Sequence, residues 1–360
     1  MKRLLLWCTL MLIPVSSNAA DEIAVPHVVL GIHGGAGVTK KEMTPELEKH
    51  LRAGLELALK EGYARLQKPG TTSLDAVETA IRVLEDDPWF NAGKGAVFTH
   101  DGRNELDASI MEGRMKKAGA VAGVTVVKNP ISAARAVMEK TKHVMLIGRG
   151  AEVFAREAGL EIVDPKYFWT EHRWQQLQDD LREEREAAAK KKKTEGNQEP
   201  QKKDSGKADK TGADARTSRP GYEWSTVGAV AVDSTGNLAA GTSTGGMSNK
   251  QYGRIGDSPI IGAGTYADNR SCAVSCTGHG EFFIRYAVSH DIAALMEYKG
   301  LSVQQAADEV ICRKLKEAGG EGAAIALDPQ GNFAMSHNTE GLYRGYVTSA
   351  GKITVKLFEN

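Results

Sequence analysis

The sequence predicts an α+β fold in which two mainly antiparallel sheets are sandwiched between two helical layers, an αββα arrangement. Two observations carry this. Asp233-Ser-Thr-Gly-Asn237 and Asp328-Pro-Gln-Gly-Asn332 each separate two runs of small and β-branched residues, the signature of a hairpin. Blocks of amphipathic helix lie in both halves of the chain, so each half supplies strands and a helical cover. With 360 residues the chain makes one large domain or two small ones. Its 46 basic and 46 acidic residues cancel, so no global field favours nucleic acid or an anionic membrane.

In order, Met1-Lys2-Arg3 followed by the apolar run 4–15 and by Ser17-Asn18-Ala19 reads as a secretory signal, residues 1–19. Cleavage is expected near Ala19 or Ala20, and the mature chain is expected to be soluble and to reside in the periplasm or outside the cell. Residues 27–32 read as a first strand ending in the glycine loop His33-Gly34-Gly35-Ala36-Gly37. Leu47, Leu51, Leu55, Leu57 and Leu59 give the apolar spacing of an amphipathic helix, which predicts a helix over 45–67. Thr72 and Asp75 form a capping box for a second helix through Leu84. A loop rich in glycine and aromatics spans 88–95. Strands are expected at 97–99, 105–111, 118–127 and 144–147, with helices at 130–139 and 151–158 and another beginning near Tyr167.

From Glu171 to Pro220, 24 of 50 residues are charged. The second half of this stretch has almost nothing apolar to offset its ordering entropy, which predicts a mobile linker over about 175–220; a solvated helix is compatible with 171–193. After it, hairpins are expected from 227–232 with 238–242, from 260–266 with 271–276, and from 323–327 with 333–336. Helices are expected over 281–299 and 302–318. Once the signal is removed, Cys272, Cys276 and Cys312 remain, and their spacing fits neither a disulfide framework nor a zinc site. Free, buried thiols are the expectation.

The chemistry gathers where the linker meets the first strand of the second half. Thr226, if it became a chain terminus, would carry a nucleophilic hydroxyl and its own α-amine as base. Such an amine titrates near about 7.7–8.0. On its own this threonine reads better as a surface residue opening an ordinary strand. Thr244 returns beside it through the hairpin. Arg254 and Asp257 lie three apart in a glycine-rich loop and can grip the α-carboxylate and α-ammonium of an amino acid. Thr277 and Gly278 end a strand just before a helix, where a hydroxyl and backbone N–H groups suit an oxyanion. His279 beside them reads as a loop histidine. A rival reading takes Gly241-Thr-Ser-Thr-Gly245 as a nucleophile elbow, with Ser243 as nucleophile, His33-Gly34-Gly35 as oxyanion loop and His337 as base. Loop instead of helix follows Ser243, and His337 lacks a well-placed acid, which weighs against it.

Together, in order, Gly31-Ile-His-Gly-Gly-Ala-Gly37, Phe90-Asn-Ala-Gly-Lys-Gly-Ala96, Thr226-Val-Gly-Ala-Val230, Thr242-Ser-Thr-Gly-Gly-Met247, Gly253-Arg-Ile-Gly-Asp-Ser-Pro259, Cys276-Thr-Gly278 and Asn338-Thr-Glu-Gly341 resemble the plant-type L-asparaginase and isoaspartyl peptidase family of N-terminal-nucleophile hydrolases. The resemblance runs from Val28 to the C-terminal region. It implies self-cleavage between Ser225 and Thr226 into an α subunit, 20–225, and a β subunit, 226–360, and a dimer of such pairs. It implies Thr226 as nucleophile, Thr244 as its hydrogen-bonding partner, Arg254 and Asp257 as the substrate clamp, Thr277 and Gly278 as oxyanion and substrate contacts, and Asn91 as a residue approaching the nucleophile. It also implies a structural sodium ion held by backbone carbonyls of Leu84, Glu85, Phe90 and Ala92, and no cofactor for the chemistry. The substrates implied are L-asparagine and β-aspartyl dipeptides. Two readings stay open beside this: a glycosylasparaginase-like enzyme, and an inactive protein that binds aspartate-like ligands. Ser225 stands where the family often has glycine, and the linker is longer and more charged than the family's.

Overall fold

In the computed structural model, residues 28–37, 39–195 and 226–358 are described. The expected signal segment, Ser225 and most of the charged stretch before it lie outside the described residues.

The first half contains β1 (Val28–Ala36), α1 (Pro45–Leu66), α2 (Ser73–Asp86), β2 (Leu106–Glu112), β3 (Ala118–Val124), α3 (Pro130–Lys140), β4 (Met145–Ile147), α4 (Gly148–Glu157) and α5 (Glu171–Glu195). The second half contains β5 (Val227–Val232), β6 (Leu238–Thr244), β7 (Thr265–Ala267), β8 (Ala273–Gly278), α6 (Gly280–Arg285), α7 (Val288–Lys299), α8 (Val303–Asp308), β9 (Gly322–Leu327), β10 (Phe333–His337), β11 (Gly341–Thr348) and β12 (Ile353–Phe358).

The strands form an eight-stranded sheet in the order β12-β11-β1-β5-β6-β2-β3-β4 and a four-stranded sheet in the order β10-β9-β8-β7. Neighbours are antiparallel, apart from β3 and β4, which run parallel. Helices α1, α2 and α3 cover the outer face of the larger sheet, and α7 and α8 cover that of the smaller. Val230, Leu238, Ala240, Ile325 and Leu327 fill the layer between the sheets. The predicted αββα sandwich is thus the observed fold.

Local chemistry explains the elements that were anticipated. Thr44 caps α1 by accepting from the Leu47 N–H, Pro45 takes the first turn, and Leu51, Leu55 and Leu59 are buried against the sheet. Burying each such leucine contributes about 1.5–3 kcal/mol. Helix α2 starts at the reciprocal Thr72–Asp75 capping box.

Several expectations are corrected. β1 runs on through the glycine run to Ala36, pairing with β11 on one side and β5 on the other, so this stretch is strand and not loop. Residues 97–99 form no strand; Thr99 makes only an isolated bridge to Lys250. In the hairpin expected from 260–266 with 271–276, the first arm shrinks to three residues, because 260–264 folds into successive turns. The helix expected over 281–299 breaks at Ala287, whose φ of 48° is left-handed, and α8 passes into π-helical turns through Leu315. The segment expected to be mobile from about 175 is helical to Glu195. Its first half is docked: Leu177 is buried, Asp180 accepts from Ser248 and Glu184 from Asn249. Cys272 and Cys276 are buried and unbridged, whereas Cys312 is exposed. Strands β11 and β12 were not anticipated. Among the described residues no helix is long and apolar enough to cross a membrane.

Candidate active site

Thr226 stands at the head of β5 and is 8% exposed. Its Oγ1 donates to Thr244 Oγ1 at 3.0 Å, the last residue of β6, as the hairpin reading required. Thr244 Oγ1 also accepts from the Gly246 N–H at 2.9 Å, so two donors converge on it. The Thr226 carbonyl accepts from His33 Nδ1 at 3.0 Å, which places His33 as neutral imidazole with its proton on Nδ1. Complete burial pushes the His33 pKa down to about 3, in keeping with that neutral form.

Asn91 holds the turn after Thr244: its carbonyl accepts from the Gly245 N–H at 3.1 Å, its Nδ2 donates to the Gly246 carbonyl at 2.7 Å, and its Oδ1 accepts from the Val97 N–H at 2.9 Å. Through Gly246 it fixes the group that fixes Thr244.

Arg254 and Asp257, three apart in sequence, are close in space. A β-carbon added to Gly280 would come within 2.7 Å of Arg254 Nη2 and 2.9 Å of Asp257 Oδ1, so the glycine lets α6 begin directly against both. Asp257 is buried, with Oδ2 lacking a hydrogen-bond partner among the described residues. Burial pushes its carboxyl up to about 7, against the pull of Arg254. Such a carboxylate, buried and under-bonded, is suited to an incoming ammonium group. The Arg254 fork is engaged by a partner that the sequence did not suggest: Nε and Nη2 each donate to Glu281 at 2.9 Å. Its Nη1 faces Gly246 and Gly256, where a side chain in place of the hydrogen of Gly256 would meet the guanidinium.

Lys250 and Asp107 were also missed. Lys250 is 5% exposed, donates to the Glu105 carbonyl at 2.9 Å and lies 4.0 Å from Asp107. Burial lowers the lysine and raises the aspartate, each opposed by the other's charge. The register pairs Asp107 with Thr244, so this ion pair underlies the partner of the nucleophile. The signal available was a lysine at the end of a glycine-rich turn, which sequence reading passes over as surface.

Thr277 is buried on β8 and shares a face with Ser275, two residues away. Gly278 follows at φ 150°, a conformation that needs glycine, and an added β-carbon would meet the Glu321 carbonyl at 2.5 Å. His279 Nε2 lies 3.4 Å from Glu281, and its ring meets Phe282 edge to face.

The elbow reading fails on geometry. Ser243 alternates to the opposite face of β6 from Thr242 and Thr244, is wholly buried, and donates to Glu85 Oε1 at 2.6 Å beneath α2. Its hydroxyl is sealed from substrate. His33 sits within β1, in no oxyanion loop, and His337 Nδ1 bonds the Thr339 carbonyl.

The loop after α2 folds back tightly. The Glu85 carbonyl lies 2.3 Å from where a β-carbon on Gly93 would stand, and those of Phe90 and Pro88 lie 2.1 and 2.5 Å from one on Gly95. The carbonyls of Glu85, Pro88 and Phe90 thus pack directly against Gly93 and Gly95, positions that only glycine can fill. No cluster of acidic, histidine or cysteine side chains fit for a metal occurs among the described residues.

Comparison with known proteins gives one consistent answer. The family described as "Asparaginase" matches residues 26–357. The chain is 48% identical over 319 residues to the isoaspartyl peptidase of Escherichia coli K12, covering 88% of this chain and 92% of that one. To the isoaspartyl peptidase of Salmonella typhimurium it is 47% identical over 319 residues, covering 88% and 94%. To the plant-type L-asparaginase of Pyrococcus furiosus it is 41% identical over 326 residues, covering 90% and 98%.

Proposed function

The chain belongs to the asparaginase family, and from that premise we propose that it is a threonine-nucleophile amidohydrolase releasing L-aspartate from L-asparagine and β-aspartyl dipeptides. The observation that carries the assignment of roles is the Thr226 hydroxyl bonded to Thr244 at the head of β5.

Maturation comes first. Thr226 Oγ1 attacks the Ser225 carbonyl carbon, the Ser225–Thr226 C–N bond breaks, and the nitrogen takes the hydroxyl proton. Water then hydrolyses the ester, freeing Ser225 as a carboxylate and Thr226 as a new N-terminus. In turnover the Thr226 amine accepts the hydroxyl proton as Oγ1 attacks the substrate β-carbonyl. Ammonia or an amino acid leaves with a proton, and water cleaves the aspartyl ester. Arg254 receives the α-carboxylate on its Nη1 side and Asp257 the α-ammonium. Thr277 and the backbone at Gly278 stabilise the oxyanion. Asn91 acts through the 245–246 turn. The backbone carbonyls of Leu84, Glu85, Phe90 and Ala92 would hold a sodium ion, which would stiffen the loop carrying Asn91. The charged start and apolar run of residues 1–15 support export, with the cut near Ala19 or Ala20, and the family resemblance supports a dimer of αβ pairs.

The test is turnover by wild type and Thr226→Ala. Wild type should release ammonia and aspartate from L-asparagine, and aspartate from a β-aspartyl dipeptide; the alanine variant should release neither. Turnover by Thr226→Ala at wild-type rates would overturn the assignment. Ligand binding without any ammonia release by wild type would leave a binding protein.

A further inference from the structure

A line of polar side chains crosses the apolar layer between the sheets. Its members come from five strands of both sheets: His33 on β1, Ser275 on β8, Thr242 on β6, Thr265 on β7 and Ser109 on β2, and all are fully buried. The contacts are continuous. Ser275 Oγ lies 2.8 Å from His33 Nε2, Thr242 Oγ1 2.7 Å from Ser275 Oγ, Thr265 Oγ1 2.6 Å from Thr242 Oγ1, and Ser109 Oγ 2.8 Å from Thr265 Oγ1. Both ends finish on backbone carbonyls, one of Thr226 at 3.0 Å from His33 Nδ1, the other of Ser258 at 2.6 Å from Ser109 Oγ. Thr226 carries the nucleophile, and Ser258 directly follows Asp257 of the clamp.

Proton counting gives the line a direction. The Thr226 carbonyl can only accept, so the His33 proton is on Nδ1 and Nε2 accepts from Ser275. Ser275 has then used its one proton, so it accepts from Thr242. Thr242 can spend its proton there because the Gly264 carbonyl, its other neighbour, already receives the Cys276 N–H at 2.9 Å. Thr242 in turn accepts from Thr265, and Ser109 shares its proton between Thr265 and Ser258. Space is kept for this: a β-carbon on Gly228, the β5 residue facing the line, would stand 2.0 Å from Ser275 Oγ and 2.4 Å from His33 Nε2. Nothing in sheet packing needs it. The apolar cluster beside it is built of Met111 and Ala, Val, Ile and Leu side chains, with Phe333 and Tyr346 packed against it, and apolar side chains of like shape hold two sheets together equally well.

We propose that this His33–Ser275–Thr242–Thr265–Ser109 line is a positioning device that sets the distance between the Thr226 nucleophile and the Asp257 clamp. It rests on the assignment of Thr226 and Asp257 above. The line belongs to catalysis through the backbone it holds: it touches neither substrate nor the reacting atoms. Its loss displaces Thr226 relative to a substrate still bound by Arg254 and Asp257, so turnover suffers and binding does not.

The experiment compares Thr242→Val, which keeps shape and removes the hydroxyl, with Thr242→Ser, which keeps the hydroxyl. Both are assayed with L-asparagine for kcat and KM, and for melting temperature. The expected result is a kcat lowered at least tenfold in the valine variant with KM within about twofold of wild type, and kcat restored to within about threefold in the serine variant. Equal kcat in valine and wild type, or equal losses in valine and serine, would overturn the proposal by making the line structural only. Should Thr242→Val fail to fold, Ser109→Ala at the far end is read by the same criteria, its kcat falling with KM held or the proposal failing. A wild type with no turnover strikes the functional reading itself, before any variant is compared.

Discussion

Arg254 and Asp257 make the sharpest single-residue statements. A bidentate guanidinium–carboxylate contact is worth about 1.5–3 kcal/mol. Arg254→Ala should therefore raise KM for L-asparagine about 10- to 100-fold; steady-state kinetics with an unchanged KM would remove Arg254 from the clamp. Asp257 holds an ammonium only when ionised, and burial has moved its carboxyl up to about 7. The Thr226 amine, with an ordinary value near about 8, acts only as free base. Two groups must thus lose protons on the acid side, and kcat/KM should fall with a limiting slope approaching two below about pH 7. Asp257→Asn should lower kcat/KM and reduce that slope to one. A slope of two retained in the asparagine variant would contradict the role of Asp257. These residues were legible because Thr226, Thr244, Arg254 and Asp257 lie within one short stretch joined by a hairpin. His33 was visible only as a misleading likeness to an oxyanion loop, and Ser275 not at all, since they lie 193 and 242 positions from the groups they serve or hold. Glu281 was hidden for a similar reason: an acid in the first turn of a helix reads as ordinary dipole chemistry until its distance to Arg254 is known.

At the scale of elements, α2 and β6 meet through a buried carboxyl. Glu85 accepts from Ser243 Oγ and the Ile131 N–H, and burial pushes its pKa from 4.5 to about 8. The folded protein therefore keeps a proton that the unfolded chain releases above about 4.5. Stability contributed by this group is fully present below that value and is lost as pH rises through about 8. Melting temperatures measured between pH 4.5 and 8.5 should fall less steeply for Glu85→Gln than for wild type; parallel curves would mean that Glu85 is ionised throughout. Which elements could be read from sequence follows from the same local physics. Helix α1 declares itself by leucines at helical spacing and a capping threonine. Strand β12 alternates Ile353, Val355 and Leu357 with polar residues and could have been found by that period. Strand β11 hides it, since buried Arg344 interrupts the apolar face. The break at Ala287 carries no glycine or proline to announce it.

For the whole molecule, the four layers do one thing for function: they bring the head of β5, the end of β6 and the face of β8 to a common place between sheets drawn from both halves of the chain. The larger sheet is stitched across the proposed cut, with β1 before it pairing β5 after it. A chain severed at Ser225 keeps those hydrogen bonds, so the proposed subunits should remain one particle. The long charged segment adds a docked helix on one side, with Asp180 and Glu184 holding Ser248 and Asn249 of the loop that leads to Arg254. The most direct test is N-terminal sequencing and intact mass of catalytically active protein. Two polypeptides should be found that separate only under denaturing conditions, the smaller beginning at Thr226. Active protein consisting of a single unbroken chain through Ser225 and Thr226 would contradict the account.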